Sequence, residues 1–176
     1  MAGLTIGAFL LQNISEGPVM RLTKQSSYAI RTLIYCAVNE PSLSRVADIA
    51  KAYSISELFL FKLIKPLVEE GIIETVRGRH GGIRLGRPAD KTTLLDVVRL
   101  TEESFALAEC FEDDGVVSCP LHAGCDLSSA LSEALGAFFS VLDSYTIADL
   151  AGKKRNLRER LGLDIPELEP GLAATH

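Results

Sequence analysis

The sequence predicts a mainly α-helical fold with a small β-wing: a winged helix-turn-helix domain followed by a long dimerisation helix. Three observations predict it. Two short helical patterns are joined by a tight turn at Tyr53-Ser54, and a basic, glycine-rich segment, RGRHGG, joins two short β-prone runs. The third is a long amphipathic pattern that begins at residue 126.

The composition of the 176-residue chain fits a soluble globular protein with 47% hydrophobic and 23% charged residues. No apolar run approaches the ~18 residues that a membrane span needs. The net charge of −5 is distributed unevenly: residues 21–91 carry 12 Lys and Arg against 7 Asp and Glu, whereas residues 92–176 carry 6 against 15. A basic first half indicates a module that binds a polyanion, although chance patterning of solvated faces gives the same balance.

The first nineteen residues contain a short apolar run, LTIGAFLL, with no preceding Lys or Arg, so they do not form a secretory signal. We interpret residues 1–19 as a non-native or mis-called extension before a natural start at Met20; the alternative is a disordered or partner-binding arm. Without a signal we expect a cytoplasmic, bacterial protein, associated with the nucleoid when it is bound to DNA. In that reducing compartment thiols serve metal binding or redox chemistry rather than disulfides.

The first helix is predicted over residues 23–39, with Thr23 or Ser26 as its N-cap. Cys36 lies on its apolar stripe and is predicted to be a buried structural thiol. Ser44 is expected to cap the next short helix, whose predicted apolar face is Val46, Ala47, Ile49 and Ala50.

Ser56 is expected to cap the second helix of the helix-turn-helix, which ends at Gly71. Two β-prone runs follow, at residues 72–76 and 83–85, and their connection carries Arg77, Arg79 and His80. Arginines on a slim hairpin suit a narrow minor groove, whereas a merely exposed basic loop is the alternative.

A further helix is predicted from the cap at Thr92 or Thr93 through residue 110, and a long one after Cys125, with a restart cap at Thr146 and Asp149. The long helix needs a partner for its apolar face, which favours a homodimer; packing only on its own wing domain is the alternative. The predicted domains are an extension at 1–19, the winged helix-turn-helix at 20–91, a cysteine loop with the long helix at 92–152, and a flexible charged tail at 153–176.

Three of the four cysteines fall within CFEDDGVVSCPLHAGC, at positions Cys110, Cys119 and Cys125. Their C-x8-C-x5-C spacing differs from the paired C-x2-C of zinc ribbons and from the tight spacing of ferredoxins. On its own this spacing is a weak metal signal.

Several motifs together resemble a known family. They occur in the order MRLTKQSSYAIRTLIY, SRVADIAKAYSIS, VRGRHGGIRLGRPAD and TLLDVVRLTE, followed by the three cysteines, over about residues 20–152. The chain resembles the bacterial winged-helix repressors that sense iron or nitric oxide through an iron–sulfur cluster, and most of all the branch that regulates iron uptake in rhizobia. The resemblance implies a homodimer that binds a pseudo-palindromic double-stranded DNA operator and represses iron-uptake genes.

The resemblance also implies residue roles. Cys110, Cys119 and Cys125 would hold an iron–sulfur cluster, with [4Fe–4S] favoured over [2Fe–2S] although three cysteines can serve either. The residues implied to contact DNA lie at the start of the first helix, on the recognition helix over residues 56–70 and on the wing: Lys24, Ser56, Leu58, Phe59, Phe61, Lys62, Lys65, Arg77, Arg79 and His80.

The recognition helix departs from some family members, which carry polar base-reading side chains where this chain has Leu58 and Phe61. Apolar side chains there can contact thymine methyl groups, so we expect an A·T-rich operator. The lysines would bind phosphates, which fix register without reading sequence.

The fourth cluster ligand stays open among His122, Asp113, Asp114, Asp126, water and a small thiol. Two rival hypotheses keep the DNA-binding fold without a cluster: a thiol–disulfide switch that pairs Cys119 with Cys125, and a structural zinc site of three cysteines and His122. No catalytic triad order, paired acids or nucleotide loop is evident, so we expect no enzymatic activity.

Overall fold

The computed structural model describes residues 21–79, 81–111, 119, 125–152 and 154–163. These residues form two antiparallel strands, β1 Ile73–Val76 and β2 Gly82–Leu85, and seven helices: α1 Lys24–Asn39, α2 Val46–Ala52, α3 Glu57–Glu69, α4 Leu94–Thr101, α5 Asp126–Asp143, α6 Ile147–Ala151 and α7 Lys154–Arg160. Short 3₁₀ turns lie at Ala89–Lys91 and Glu109–Phe111. Within the described part of the chain, no helix is long and apolar enough to cross a membrane.

Helix α1 lies at the centre of the core. It begins at the N-cap Thr23, whose side chain accepts a hydrogen bond from the Ser26 backbone N–H, as the sequence predicts. Ala29 and Leu33 are fully buried, and α1 contacts α3, α4, α6, α7 and β2. Nearly every other element therefore takes its position from this one helix.

The helix-turn-helix consists of α2 and α3, as predicted. The turn between them passes through Ser54, which adopts the left-handed conformation with a φ of 53°. Ser56 then caps α3 by accepting from the Phe59 N–H at 3.2 Å. The helix continues through Pro66 to Glu69, and Gly71 follows with a φ of 68°.

Two expectations about α2 are wrong. Arg45, not Ser44, is the N-cap, and no side chain caps the helix. Ser44 is instead buried, where it accepts a hydrogen bond from Asn39 Nδ2 at 3.1 Å and pairs its backbone with Ile83 of the wing. Tertiary partners have thus taken the hydroxyl that local capping would have used. Ala47, expected on the apolar face, is exposed, whereas Ile49 and Ala50 are buried.

The predicted wing is confirmed. Strands β1 and β2 pair in an antiparallel register from Ile73↔Leu85 to Val76↔Gly82. The glycines of the tip have different roles: Gly78 has a φ of 121°, whereas a Cβ at Gly81 would collide with the Val76 carbonyl oxygen. The mainly α fold with a small wing is therefore the predicted one.

Helix α4 begins with a complete capping box. Thr93 Oγ1 accepts from the Asp96 N–H at 3.2 Å, and Asp96 Oδ2 accepts from the Thr93 N–H at 3.0 Å. The helix ends at Thr101, eight residues later, rather than running to residue 110 as the sequence predicts. Glu102 leaves the helix because its carboxylate binds the start of α1, 79 residues earlier in the chain.

Replacing Thr93 with alanine is expected to lower the free energy of unfolding by about 1 kcal/mol, since an N-cap hydroxyl typically contributes that much. Urea denaturation followed by circular dichroism, at one protein concentration, measures the change. Thr93→Ser is the matched control, because it keeps the hydroxyl and should stay within a few tenths of a kcal/mol of the parent. Equal losses in the two variants would contradict the capping role.

The C-terminal helices break where the sequence predicts. Helix α5 ends at Asp143, and Thr146 and Asp149 form a second capping box that starts α6. The hydrogen bonds from Thr146 hold the pKa of the Asp149 carboxyl below its ordinary value, so this cap weakens as pH falls through that lowered pKa.

The expectation of a flexible tail from residue 153 is wrong in its first part. Lys154–Arg160 form α7, which packs against the core through the half-buried Leu157, Leu161 and Leu163. These leucines, together with Arg158, give the segment enough contact to stay in place. Residues 164–176, and the extension at 1–19, lie outside the described residues.

Candidate functional site

Helix α3 divides sharply into a buried face and an exposed face. Leu60, Leu63 and Leu67 are almost entirely buried, whereas Leu58 is 70% and Phe61 54% exposed. Large apolar side chains so exposed on a short helix are unusual unless a partner covers them. The two residues that depart from the family pattern are therefore the two that α3 presents to solvent.

Lysines border this exposed face. Lys62 and Lys65 are exposed, and Lys65 Nζ lies 3.9 Å from Glu69 Oε1 in a weak surface pair. Both side chains are positioned to reach a phosphate backbone alongside α3.

Ser56 and Phe59 have structural roles on the same helix. Ser56 is the cap, and its hydroxyl is still exposed. The Phe59 ring is only half-buried, but it packs edge-on against Tyr28 of α1 with the ring centroids 5.8 Å apart. We therefore assign Phe59 to the support of α3, and the predicted base contact for it is unlike the arrangement of Leu58 and Phe61.

The wing presents cations at its tip. Arg77 and Arg79 are exposed, and the third predicted tip residue, His80, lies outside the described residues. Arg84 is bound to its cross-strand partner Glu74, with Nε to Oε2 at 2.9 Å and Nη2 to Oε1 at 3.1 Å. That pair braces the hairpin below the tip.

The start of α1, where Lys24 is exposed, is held by a residue that the sequence gave no reason to choose. Glu102 Oε1 accepts from the Thr23 N–H at 2.8 Å and from the Ser26 hydroxyl, which also lies 2.7 Å from Thr101 Oγ1. No local motif marks Glu102, because its partners are more than 75 residues away in sequence. The segment that leads to Cys110 thus begins at a residue anchored to α1.

The three predicted cluster cysteines are all free thiols. Cys110 is half-buried in the 3₁₀ turn after α4, Cys119 is exposed, and Cys125 is half-buried at the N-cap of α5. Among the described residues, no three His, Cys, Asp or Glu side chains are grouped to hold a metal ion. Most of the intervening segment, including His122, Asp113 and Asp114, lies outside those residues, while Asp126 is exposed in the first turn of α5.

The donor set nevertheless fits an iron–sulfur cluster. Thiolates are the soft ligands such clusters use, and these three thiols are accessible and not engaged with one another in disulfides. The N-terminus of α5 also favours negative charge, which suits a thiolate-bound group at Cys125.

Cys36 differs from the other three cysteines, as predicted. It is 2% exposed, and burial raises the pKa of its thiol to about 12, with a hydrogen bond from Ser44 acting in the opposite direction. At neutral pH it is a neutral, apolar-packed thiol rather than a ligand.

Alkylation should separate the two classes of cysteine. With a pKa of about 12, only about one Cys36 thiol in 10,000 is ionised at pH 8, and the side chain is also sheltered. We expect iodoacetamide to modify Cys110, Cys119 and Cys125 of the metal-free protein at least ~100-fold faster than Cys36. Peptide mass spectrometry measures the rates, and modification of Cys36 at the rate of Cys119 without denaturant would contradict the structure.

Comparison with known proteins gives consistent matches. The model of the Rrf2 family, an iron-dependent transcriptional regulator, matches residues 22–153. Protein aau3 of Rhizobium meliloti (strain 1021) is 56% identical over 147 residues, which cover 84% of this chain and 95% of that protein. The HTH-type transcriptional regulator NsrR of Geobacillus kaustophilus is 46% identical over 143 residues, covering 81% and 97%.

A solved structure matches the fold. The oxidised form of CymR from Staphylococcus aureus has a TM-score of 0.60 and 26% sequence identity, over 75% of this chain and 96% of that one. The family match runs from the start of α1 to the end of α6 and stops before α7.

Proposed function

The chain belongs to the Rrf2 family of transcriptional regulators, and we propose that it is an iron-responsive repressor of iron-uptake genes. Members of this family are regulators and not enzymes, which confirms the expectation that the chain has no enzymatic activity. Rrf2 regulators bind DNA, usually as dimers. In this proposal the protein acts in the bacterial cytoplasm, associated with the nucleoid when bound to DNA, and senses iron, O₂ or nitric oxide through a cluster on Cys110, Cys119 and Cys125.

The contrast among the four cysteines carries the proposal. Cys36 is buried with a raised pKa, whereas the three cysteines of the later segment are free and accessible. A labile sensing group needs ligands that are reachable from solvent, and only those three meet that need. When bound, the cluster would supply a group that iron availability, O₂ and nitric oxide can build or destroy.

The chain links this segment to the DNA-binding half through its own hydrogen bonds. Glu102 holds the first turn of α1 and begins the segment that reaches Cys110 eight residues later. The same turn of α1 carries Lys24, which we assign to a phosphate. A change in the segment can therefore bias the position of α1 relative to DNA.

We assign the major groove to α3 and the minor groove to the wing. Leu58 and Phe61 would contact thymine methyl groups, which supports an A·T-rich operator. Lys62 and Lys65 would bind phosphates, and Arg77 with Arg79 would enter the minor groove.

The homodimer is proposed from α5. None of its 18 residues is buried, and apolar side chains such as Leu127 (64% exposed) and Val141 (56% exposed) remain accessible. An isolated helix of this length is marginal in water, so a partner surface is needed to stabilise it. A second copy supplies one and suits a pseudo-palindromic operator.

The test is the visible spectrum of the protein purified without oxygen, with iron, acid-labile sulfide and zinc counted per chain. A brown protein that contains iron and sulfide supports the proposal, and about four irons per chain would select [4Fe–4S] over [2Fe–2S]. A colourless protein with one zinc per chain, or with no metal after anaerobic reconstitution, would overturn it.

The similarity to CymR in an oxidised form favours a second candidate function, a thiol switch. In that case the protein holds no metal, and DNA binding responds to a disulfide between Cys119 and Cys125. Mass spectrometry of the oxidised protein distinguishes it, because each such disulfide removes two hydrogens from the chain.

A further inference from the structure

Helix α7 lies beyond the region that the family model matches, yet it is attached to the winged helix-turn-helix domain. Arg158 Nη1 donates a hydrogen bond to the Val38 carbonyl oxygen at 2.7 Å. Val38 is in the last turn of α1, where carbonyl groups lack partners within the helix and the helix dipole favours a cation. Arg158 therefore fixes α7 against the C-terminal end of α1.

The attachment of α7 creates a cavity of about 700 Å³ between the end of α1, helix α2 and α7. Four cationic side chains line it, Arg45 and Lys51 from α2 and the following cap region, and Arg158 and Arg160 from α7, against one anion, Asp48. The formal charge of the lining is therefore four positive against one negative, in a protein whose net charge is −5.

The inner wall of the cavity is polar and already ordered. Asn39 Nδ2 donates to Ser44 Oγ at 3.1 Å and to the Leu43 carbonyl oxygen at 3.2 Å, and both Asn39 and Ser44 are buried. Tyr35, 4% exposed, also lines this wall, and burial raises the pKa of its hydroxyl. The wall thus has fixed polar groups, while the charge comes from side chains near the opening.

We propose that this cavity binds a small polyanion of the carboxylate or phosphate class. Four cations around one space repel one another, and an oxyanion with two or more negative charges relieves that repulsion. Guanidinium groups match carboxylate and phosphate geometry in particular. The volume also falls within the roughly 300–1,000 Å³ of typical small-molecule sites.

The site is separate from the cysteine segment and from α3. It joins α2, the first helix of the helix-turn-helix, to an element outside the family match. It therefore gives this chain a ligand input that does not depend on the proposed cluster.

Isothermal calorimetry of the full chain with inorganic phosphate and with succinate, at ionic strength held constant with sodium chloride, tests the proposal. We expect saturable binding of at least one probe, and a rise in Tm of roughly 3–5 °C at about ten times its Kd. Arg45→Gln and Arg160→Gln should each raise that Kd about tenfold. Both side chains are exposed and neither caps a helix, so the variants should fold.

Lys91→Gln is the matched control, since it removes one exposed cation outside the cavity and should leave the Kd unchanged. No binding of either probe would overturn the proposal, as would equal Kd values in the cavity variants and the control. A loss of DNA affinity in the cavity variants without any binding of the probes would overturn it too, because the cations would then serve the DNA backbone.

Discussion

Replacing Cys119 with serine is expected to give a protein that folds normally but holds less than about a tenth of the iron and sulfide of the parent chain. The side chain is exposed, so the substitution disturbs no packing. A serine hydroxyl is a hard oxygen donor at neutral pH, and two remaining thiolates are too few to retain a cluster. Anaerobic reconstitution followed by iron and sulfide analysis measures the loss.

Cys36→Ala is the matched control for this experiment. It removes the thiol that is buried and has a raised pKa, so it should keep the full iron and sulfide content while losing some stability. A Cys119→Ser variant that stays brown, or a Cys36→Ala variant that folds and is colourless, would show that the ligand set is assigned wrongly.

Replacing Phe61 with alanine is expected to weaken operator binding roughly tenfold, the cost of losing one good base-pair contact. Phe61 is 54% exposed and packs on little of its own chain, so the free energy of unfolding should change by less than about 0.5 kcal/mol. Fluorescence anisotropy with labelled operator DNA, at one fixed salt concentration, measures the affinity.

Operator DNA with uracil in place of thymine provides the internal control, because it lacks only the methyl groups. The parent protein should bind this DNA more weakly than the thymine operator, whereas Phe61→Ala should bind both almost equally. If both proteins lose the same affinity on uracil DNA, the ring does not contact thymine methyl groups.

Local signals in the sequence predicted the helix starts well. Thr23, Ser56, Thr93 and Thr146 all cap the helices expected of them, because a hydroxyl followed by a helical pattern settles the matter within a few residues. The hairpin was predictable for the same reason, since its turn chemistry is contained in six residues.

The failures share a different cause. Ser44 was expected to cap α2, but Asn39 and the wing bind it instead. Helix α4 was extended too far because Glu102 bonds to residues more than 75 positions away. In each case a contact between distant parts of the chain overrides the local preference, and a single sequence does not contain that information.

For the candidate site, composition predicted the kind of residue better than its role. The exposure of Leu58 and Phe61 agrees with base-reading positions, but Phe59 differs from both because Tyr28 of α1 receives its ring. The separation of Cys36 from the other cysteines was predictable from helical periodicity. The cavity beside α7 was not, because it depends on where Arg158 and three leucines bring the tail.

The lack of any buried residue in α5 also bears on how this protein can change over generations. Substitutions at Leu127 or Val141 remove almost nothing from the packing of a single chain, so selection for monomer stability has little hold on them. Any constraint on these positions comes from what covers them. A change there would be tolerated by the individual molecule and felt only by the assembled pair, where it alters both copies at once.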